Sequence, residues 1–277
     1  IKVLLYYISM KNIKLIACDI DGTLLLNGAK TLDPQIFIQI RKLREQGILF
    51  MAASGREYTN LRSLFSPVAD DIIYLCLNGC LTFYHDQCIS KEIMDTDIAK
   101  RLITTIQYDN NAEALISGEK TCYITPKNQS YYEHLANTVK NHVTIVDDLF
   151  NIPEPYTKIS AYFKDGVNEH YQYYADMFDK DITVQIGGKC WLDCAPKGVN
   201  KSTGFLKLLS HLNIPAENTV MFGDNDNDKQ ILQACGYPIA MKTAIQSIRN
   251  LCSLQVSTVY EGIDAILDNN SLLPLHL

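Results

Sequence analysis

The chain has 277 residues, 47% hydrophobic, 9% aromatic and 20% charged, a globular balance that excludes a disordered, collagen-like or coiled-coil chain. Its 25 lysines and arginines against 31 aspartates and glutamates give a net charge of −6 with no basic block, so nucleic acid is not expected as a partner. Nine cysteines, an odd number, include the C-x3-C pairs Cys76/Cys80 and Cys190/Cys194 but no second ligand pair, which reads as reduced core thiols of a cytoplasmic protein rather than a zinc site.

The apolar run at residues 3–8 falls far short of the roughly 18 residues that a membrane span needs, and Lys11 and Lys14 interrupt its continuation. No membrane association is expected. With Ile1 at the start and Met10 following, residues 1–9 read as an upstream extension. Residues 13–18 form an almost continuous apolar run ending in a charged turn, the pattern of a parallel strand buried on both faces. Asp33-Pro34 then offers a helix start, and Ile36, Phe37, Ile40 and Leu43 recur at helical spacing up to Gly47. Residues 48–53 are a second buried strand followed by Ser54-Gly55-Arg56, and residues 72–77 a third ending in Asn78-Gly79.

From about residue 85 to 188 the pattern changes. Helical stretches at 99–106, 131–139 and 170–178 alternate with strands at 114–117, 158–163 and 182–186, which predicts a separate α+β insertion. The first grammar then returns, with a helix stripe of Phe205, Leu208, Leu209 and Leu212 and a strand at 219–222 ending in Gly223-Asp224. Alternating strands and helices predict an α/β fold with a Rossmann-like parallel sheet. The expected division is a discontinuous core, 10–84 and 189–277, around an inserted unit, 85–188.

Open α/β sheets bind ligands beyond the carboxyl ends of their strands. Four segments lie there: Asp19-Ile20-Asp21-Gly22-Thr23, Ser54-Gly55-Arg56, Lys197-Gly198-Val199-Asn200-Lys201, and Gly223-Asp224-Asn225-Asp226-Asn227-Asp228. Two acidic clusters, Asp19/Asp21 and Asp224/Asp228, suit Mg²⁺, a hard cation that takes oxygen ligands.

D-x-D-G-T after an apolar strand, joined with a late G-D-x-x-N-D after another, resembles the haloacid dehalogenase superfamily of phosphotransferases, over nearly the whole chain from Lys14. The size and position of the insertion resemble its Cof-like branch, whose inserted cap is of type C2. The resemblance implies a Mg²⁺-dependent phosphoric monoester hydrolase acting on small phosphorylated metabolites, sugar phosphates or phosphorylated cofactors. It implies Asp19 as nucleophile and metal ligand, Asp21 as acid and base with its main-chain carbonyl on the metal, and Lys201 as the neutralising cation. Thr23, Ser54 and Gly55 would hold phosphoryl oxygens, and Arg56, Asn78 and Asn227 would stand at the substrate or phosphate. Asp224, helped by Asn227 or Asp228, would complete the metal shell. Lys197 is the alternative lysine. A phosphomutase or other phosphotransferase would use the same residues, and a non-catalytic anion-binding regulator would be expected to lack one of Asp19, Asp21, Lys201 or Asp224.

Overall fold

The structure is a computed structural model describing residues 12–268 and the backbone of a short antiparallel pairing of Tyr7–Ile8 with Leu273–Pro274. Apart from that pairing, the extension read at residues 1–9 lies outside the described residues.

Apolar runs buried on both faces form the first strands, β1 (Leu15–Asp19), β2 (Leu49–Ala53) and β3 (Ile73–Cys76). Between them, α1 (Gln35–Glu45) buries Ile36, Ile40 and Leu43, and α2 (Tyr58–Leu64) buries Tyr58, Asn60 and Leu61. The chain then folds back through an antiparallel hairpin, β4 (Leu81–Tyr84) and β5 (Gln87–Lys91).

The insertion follows as α3 (Thr96–Tyr108), β6 (Ala112–Ser117), β7 (Cys122–Ile124), α4 (Gln129–Glu133), β8 (Val143–Ile145), β9 (Lys158–Phe163), α5 (Asn168–Phe178), β10 (Ile182–Gly188) and β11 (Trp191–Pro196). A π-helical turn, His134–Val139, continues α4. The six strands lie in the order β10-β11-β9-β6-β7-β8, antiparallel except for β7 with β8. Alternation decides the two faces of this sheet. Ile159, Ala161, Leu192 and Cys194 pack with Leu102 and Ile106 of α3 and Tyr174 and Phe178 of α5. Lys158, Ser160 and Asp193 occupy the intervening positions, and Ser160 pairs across the ladder with Asp193.

The core resumes with α6 (Lys201–Leu212), β12 (Thr219–Gly223), α7 (Lys229–Ala234), β13 (Tyr237–Met241), α8 (Gln246–Leu251), β14 (Leu254–Val256) and α9 (Val259–Leu267). Its sheet runs β14-β13-β12-β1-β2-β3-β4-β5, parallel up to β3. This is the expected Rossmann-like α/β core with an α+β insertion. From β1 the chain proceeds to β2 on one side and returns at β12 on the other, which makes the β1/β12 edge a topological switch point. The helix expected at 131–139 is α4 plus the π-helical turn.

The sheets shift the expected boundaries at 84/85 and 188/189. Gln87–Lys91 pairs with β4 in the core sheet, so the turn at His85-Asp86 is a hairpin tip and not a linker. Trp191–Pro196 pairs with β9 and β10, so the return to the core comes after Pro196.

Candidate active site

Strand register gathers the acids. Phe222 lies opposite Cys18 in the parallel β12/β1 pair, so the residues following Gly223 sit beside Asp19 at the strand ends. On the other flank Asp19 lies opposite Ala53, which brings Ser54 alongside. Carboxylate oxygens of Asp19, Asp224 and Asp228 all lie within 4.8 Å of one another. Gly22, at φ +97°, makes the turn between these loops possible; a side chain there would collide with the Asp224 carboxylate.

Lys201 enters from the first turn of α6. Asn200 caps that helix, accepting from Ser202 N and Thr203 N while Thr203 Oγ1 accepts from Asn200 N. A lysine so close to a helix N-terminus opposes the helix dipole, and its placement is explained by the carboxylates it meets. Its Nζ donates to Asp19 Oδ1 at 2.5 Å and to Asp228 Oδ1 at 2.7 Å, with the side chain fully buried. Burial works against the ammonium, but the charges of Asp19 and Asp228 outweigh it and raise its pKa. Asp228 Oδ2 accepts from the backbone N–H groups of Asp224 and Asn225, so Asp228 fixes both the lysine and the loop.

Burial pushes the Asp19 carboxyl up to about 8; Lys201 pulls it back, while Asp228 and Asp224 add to the rise. Asp224 is raised by burial too, against its hydrogen bond from Thr23 Oγ1 at 2.7 Å. Three converging carboxylates, those of Asp19 and Asp228 buried and that of Asp224 half-buried, with one ammonium are short of positive charge at neutral pH. The donor set therefore fits a divalent oxygen-loving cation.

The second flank is a pair of interlocked loops. Leu77 and Asn78 are both left-handed, at φ +53°, and this turn bonds to the loop beside it through Leu77 N to Arg56 O and Asn78 N to Ser54 O. The Asn78 side chain lies against Gly55, its Oδ1 buried without a partner. Ser54 Oγ accepts from Arg56 N. Arg56 clamps the Asp21 carboxyl group through Nε at 2.8 Å and Nη2 at 2.6 Å, and the Asp21 side chain keeps more than half its surface open.

The eleven expected positions do not converge equally. Asp19, Thr23, Lys201, Asp224 and Asp228 share direct bonds or one cluster, and Asp21 with Arg56 stands at its open side. Asn227 is exposed on the rim. Lys197 binds the main-chain carbonyl of Asp179, away from the acids. Cys18 is buried and donates to the Asp19 carbonyl, with burial pushing its thiol well up.

The sequence profile of haloacid dehalogenase-like hydrolases matches residues 16–268. The chain belongs to that family. Among its relatives, the 5-amino-6-(5-phospho-D-ribitylamino)uracil phosphatase of Escherichia coli is 27% identical over 93% of this chain and 96% of its own. The pyridoxal phosphate phosphatase of the same organism is 25% identical over 85% and 90%. A haloacid dehalogenase-like hydrolase from Bacteroides thetaiotaomicron superposes with a TM-score of 0.81 at 21% identity, covering 92% of this chain and 99% of that one, a likeness of fold. These relatives are of the Cof-like kind that the motifs and insertion suggest.

This hydrolase carries a second buried polar cluster that the sequence reading passed over. Glu57, Ser117, Lys158, Ser160 and Asp193 are all buried. Ser117 Oγ donates to Glu57 at 2.7 Å, Ser160 Oγ donates to Asp193 at 2.7 Å, and Lys158 Nζ reaches Asp193 Oδ1 at 3.4 Å and the Gly55 carbonyl at 3.5 Å. The available signal was strand alternation: Lys158 and Ser160 flank Ile159, and Asp193 sits between Leu192 and Cys194.

Proposed function

We propose that this family member is a Mg²⁺-dependent phosphatase that cleaves small phosphoric monoesters through a phosphorylated Asp19. The observation that carries the reading is the buried Lys201, held between Asp19 and Asp228 with Asp224 converging on the same point. The Asp19 and Asp224 carboxylates, which accept from Lys201 and Thr23, would hold the metal together with the Asp21 main-chain carbonyl. When bound, Mg²⁺ supplies the positive charge that the trio lacks and offsets the repulsion between carboxylate and phosphate.

In the first step Asp19 attacks phosphorus, the ester P–O bond breaks, and Asp21 gives its proton to the departing alkoxide oxygen. In the second, water attacks phosphorus and passes a proton back to Asp21, releasing orthophosphate and restoring Asp19. Lys201 holds the Asp19 carboxylate for in-line attack, and Thr23, Ser54 and the N–H groups about Gly55 receive the phosphoryl oxygens. The six-stranded insertion, in our reading a cap, closes over the substrate and limits water. Esters of primary alcohols, in sugar phosphates or phosphorylated cofactors such as those that name the two relatives, are the substrate class. Free thiols at all nine cysteines fit a reducing, cytoplasmic setting.

The test is hydrolysis of p-nitrophenyl phosphate and a panel of sugar and cofactor phosphates with Mg²⁺ and with chelator. Turnover should require the metal. Metal-independent turnover, or none on any ester, refutes the reading.

A further inference from the structure

Three polar contacts from the insertion reach the core within residues 55–60. Lys158 Nζ approaches the Gly55 carbonyl, Ser117 Oγ donates to Glu57, and Asn60 Nδ2 donates to the carbonyls of Val139 at 2.7 Å and Lys140 at 3.5 Å. The third continues from side chain to side chain as far as Asp21. Asn60 Oδ1 accepts from Arg56 Nη1 at 3.0 Å, and the remaining guanidinium donors of Arg56 grip both oxygens of Asp21. One amide side chain thus joins the cap backbone to the residue assigned proton transfer.

The residue type suits the position. Lys140, left-handed at φ +63°, ends the π-helical turn, and terminal carbonyls of a helix need donors from outside it. Arg56 offers only donors and needs an acceptor. Asn60 is 9% exposed, so both ends of its amide require partners, and a side-chain amide supplies a donor and an acceptor in one plane. Aspartate would keep the acceptor and lose the donor; leucine would lose both.

We propose that Asn60 is a positioning residue that makes the orientation of the Arg56–Asp21 pair conditional on the cap being seated. The proposal rests on the reading of Asp21 as the proton-transfer group. With the cap in place, Val139 fixes the amide, the amide fixes Nη1, and the guanidinium fork sets the plane of the Asp21 carboxyl group. With the cap lifted, the amide is free to turn and the fork loses its third anchor. Proton delivery to a poor leaving group is thereby confined to the closed, water-limited state.

The experiment compares the full chain with Asn60→Asp and Asn60→Leu on two Mg²⁺-supported substrates. One is p-nitrophenyl phosphate, whose phenolate departs without a proton. The other is the alkyl phosphate turned over fastest in the sugar-phosphate panel, whose alkoxide needs one. Both variants should lower kcat/KM on the alkyl ester by at least about tenfold, while kcat/KM on the aryl ester, which the later water step does not enter, stays within about threefold. Arg56→Gln should lower alkyl kcat/KM as well, and adding Asn60→Asp to it should cost nothing further on that ester. Asn60→Asp is close to isosteric, so it reads the cap bond even where Asn60→Leu does not fold. An alkyl kcat/KM for Asn60→Asp equal to wild type, equal losses of kcat/KM on both esters, or multiplying losses on the alkyl ester in the double variant would overturn the inference. Wild-type protein inactive on both esters would refute the functional reading, and this inference with it.

Discussion

Two buried lysines, Lys201 in the core and Lys158 in the insertion, both face carboxylates, and their surroundings differ in kind. Lys201 touches two carboxylates at 2.5 and 2.7 Å, with a third acid converging on them. Lys158 has looser partners, the Asp193 carboxylate at 3.4 Å and a backbone carbonyl at 3.5 Å. Burial opposes both ammonium groups, and neighbouring carboxylates outweigh it in both, Asp19 and Asp228 in one case and Asp193 and Glu57 in the other. The core thus concentrates charge at Asp19, the proposed nucleophile, whereas the insertion spreads it along a seam where two units meet.

The comparison breaks most visibly on activity. Lys201→Met should lower kcat by about 10²–10³-fold, as loss of a donor to developing charge does. Lys158→Met should keep kcat on p-nitrophenyl phosphate within about tenfold. Urea denaturation at pH 7 should show both variants destabilised, by about 3 kcal/mol each, because each leaves buried carboxylates without their cation. Equal losses of kcat would mean that the two lysines do the same work.

Metal linkage sharpens the contrast at a smaller scale. Mg²⁺ at a hundredfold excess over its Kd should stabilise wild-type protein and Lys158→Met by about 2.7 kcal/mol, read as a rise in Tm. Asp224→Asn should show little of that rise. A full rise in Asp224→Asn would place the cation elsewhere.

The core site was legible because its chemistry follows directly on apolar strands. Asp19 ends one such run and Asp224 begins just after another, so spacing alone set them at one edge of a sheet. The seam was illegible because its residues belong to two units that meet only in three dimensions. Glu57 reads locally as an acid at a helix start, and Lys158 as the polar member of an alternating strand. Nothing near Asn60 in the chain announces the Val139 carbonyl, 79 residues on. The hairpin over β4 and β5 was missed for a related reason, since the polar tip at His85-Asp86 resembles a linker until its two arms are seen to pair. In β11, Cys190 and Cys194 read as a spaced thiol pair, whereas Leu192 and Cys194 alternating with Asp193 mark a strand.

The smallest effect expected is on pH dependence of stability. Burial raises the Glu57 carboxyl above its ordinary 4.5, with Lys158 and the Ser117 hydrogen bond opposing and Asp193 reinforcing the rise. The folded protein then keeps a proton that the unfolded chain has lost. Its contribution is fully present below pH 4.5 and is lost as pH rises through the raised value. Glu57→Gln should flatten that decline in urea unfolding free energy measured across the same range. An unchanged slope would show that Glu57 ionises in the seam as it does in water.

The covalent step at Asp19 is most directly read by rapid acid quench of a single turnover with Mg²⁺, followed by mass spectrometry of the peptide that carries it. A phosphoryl group should appear on Asp19 within the turnover and be absent from inactive Asp19→Asn. Hydrolysis at the full wild-type rate with no phosphoryl group on that peptide, or undiminished turnover by Asp19→Asn, would contradict it.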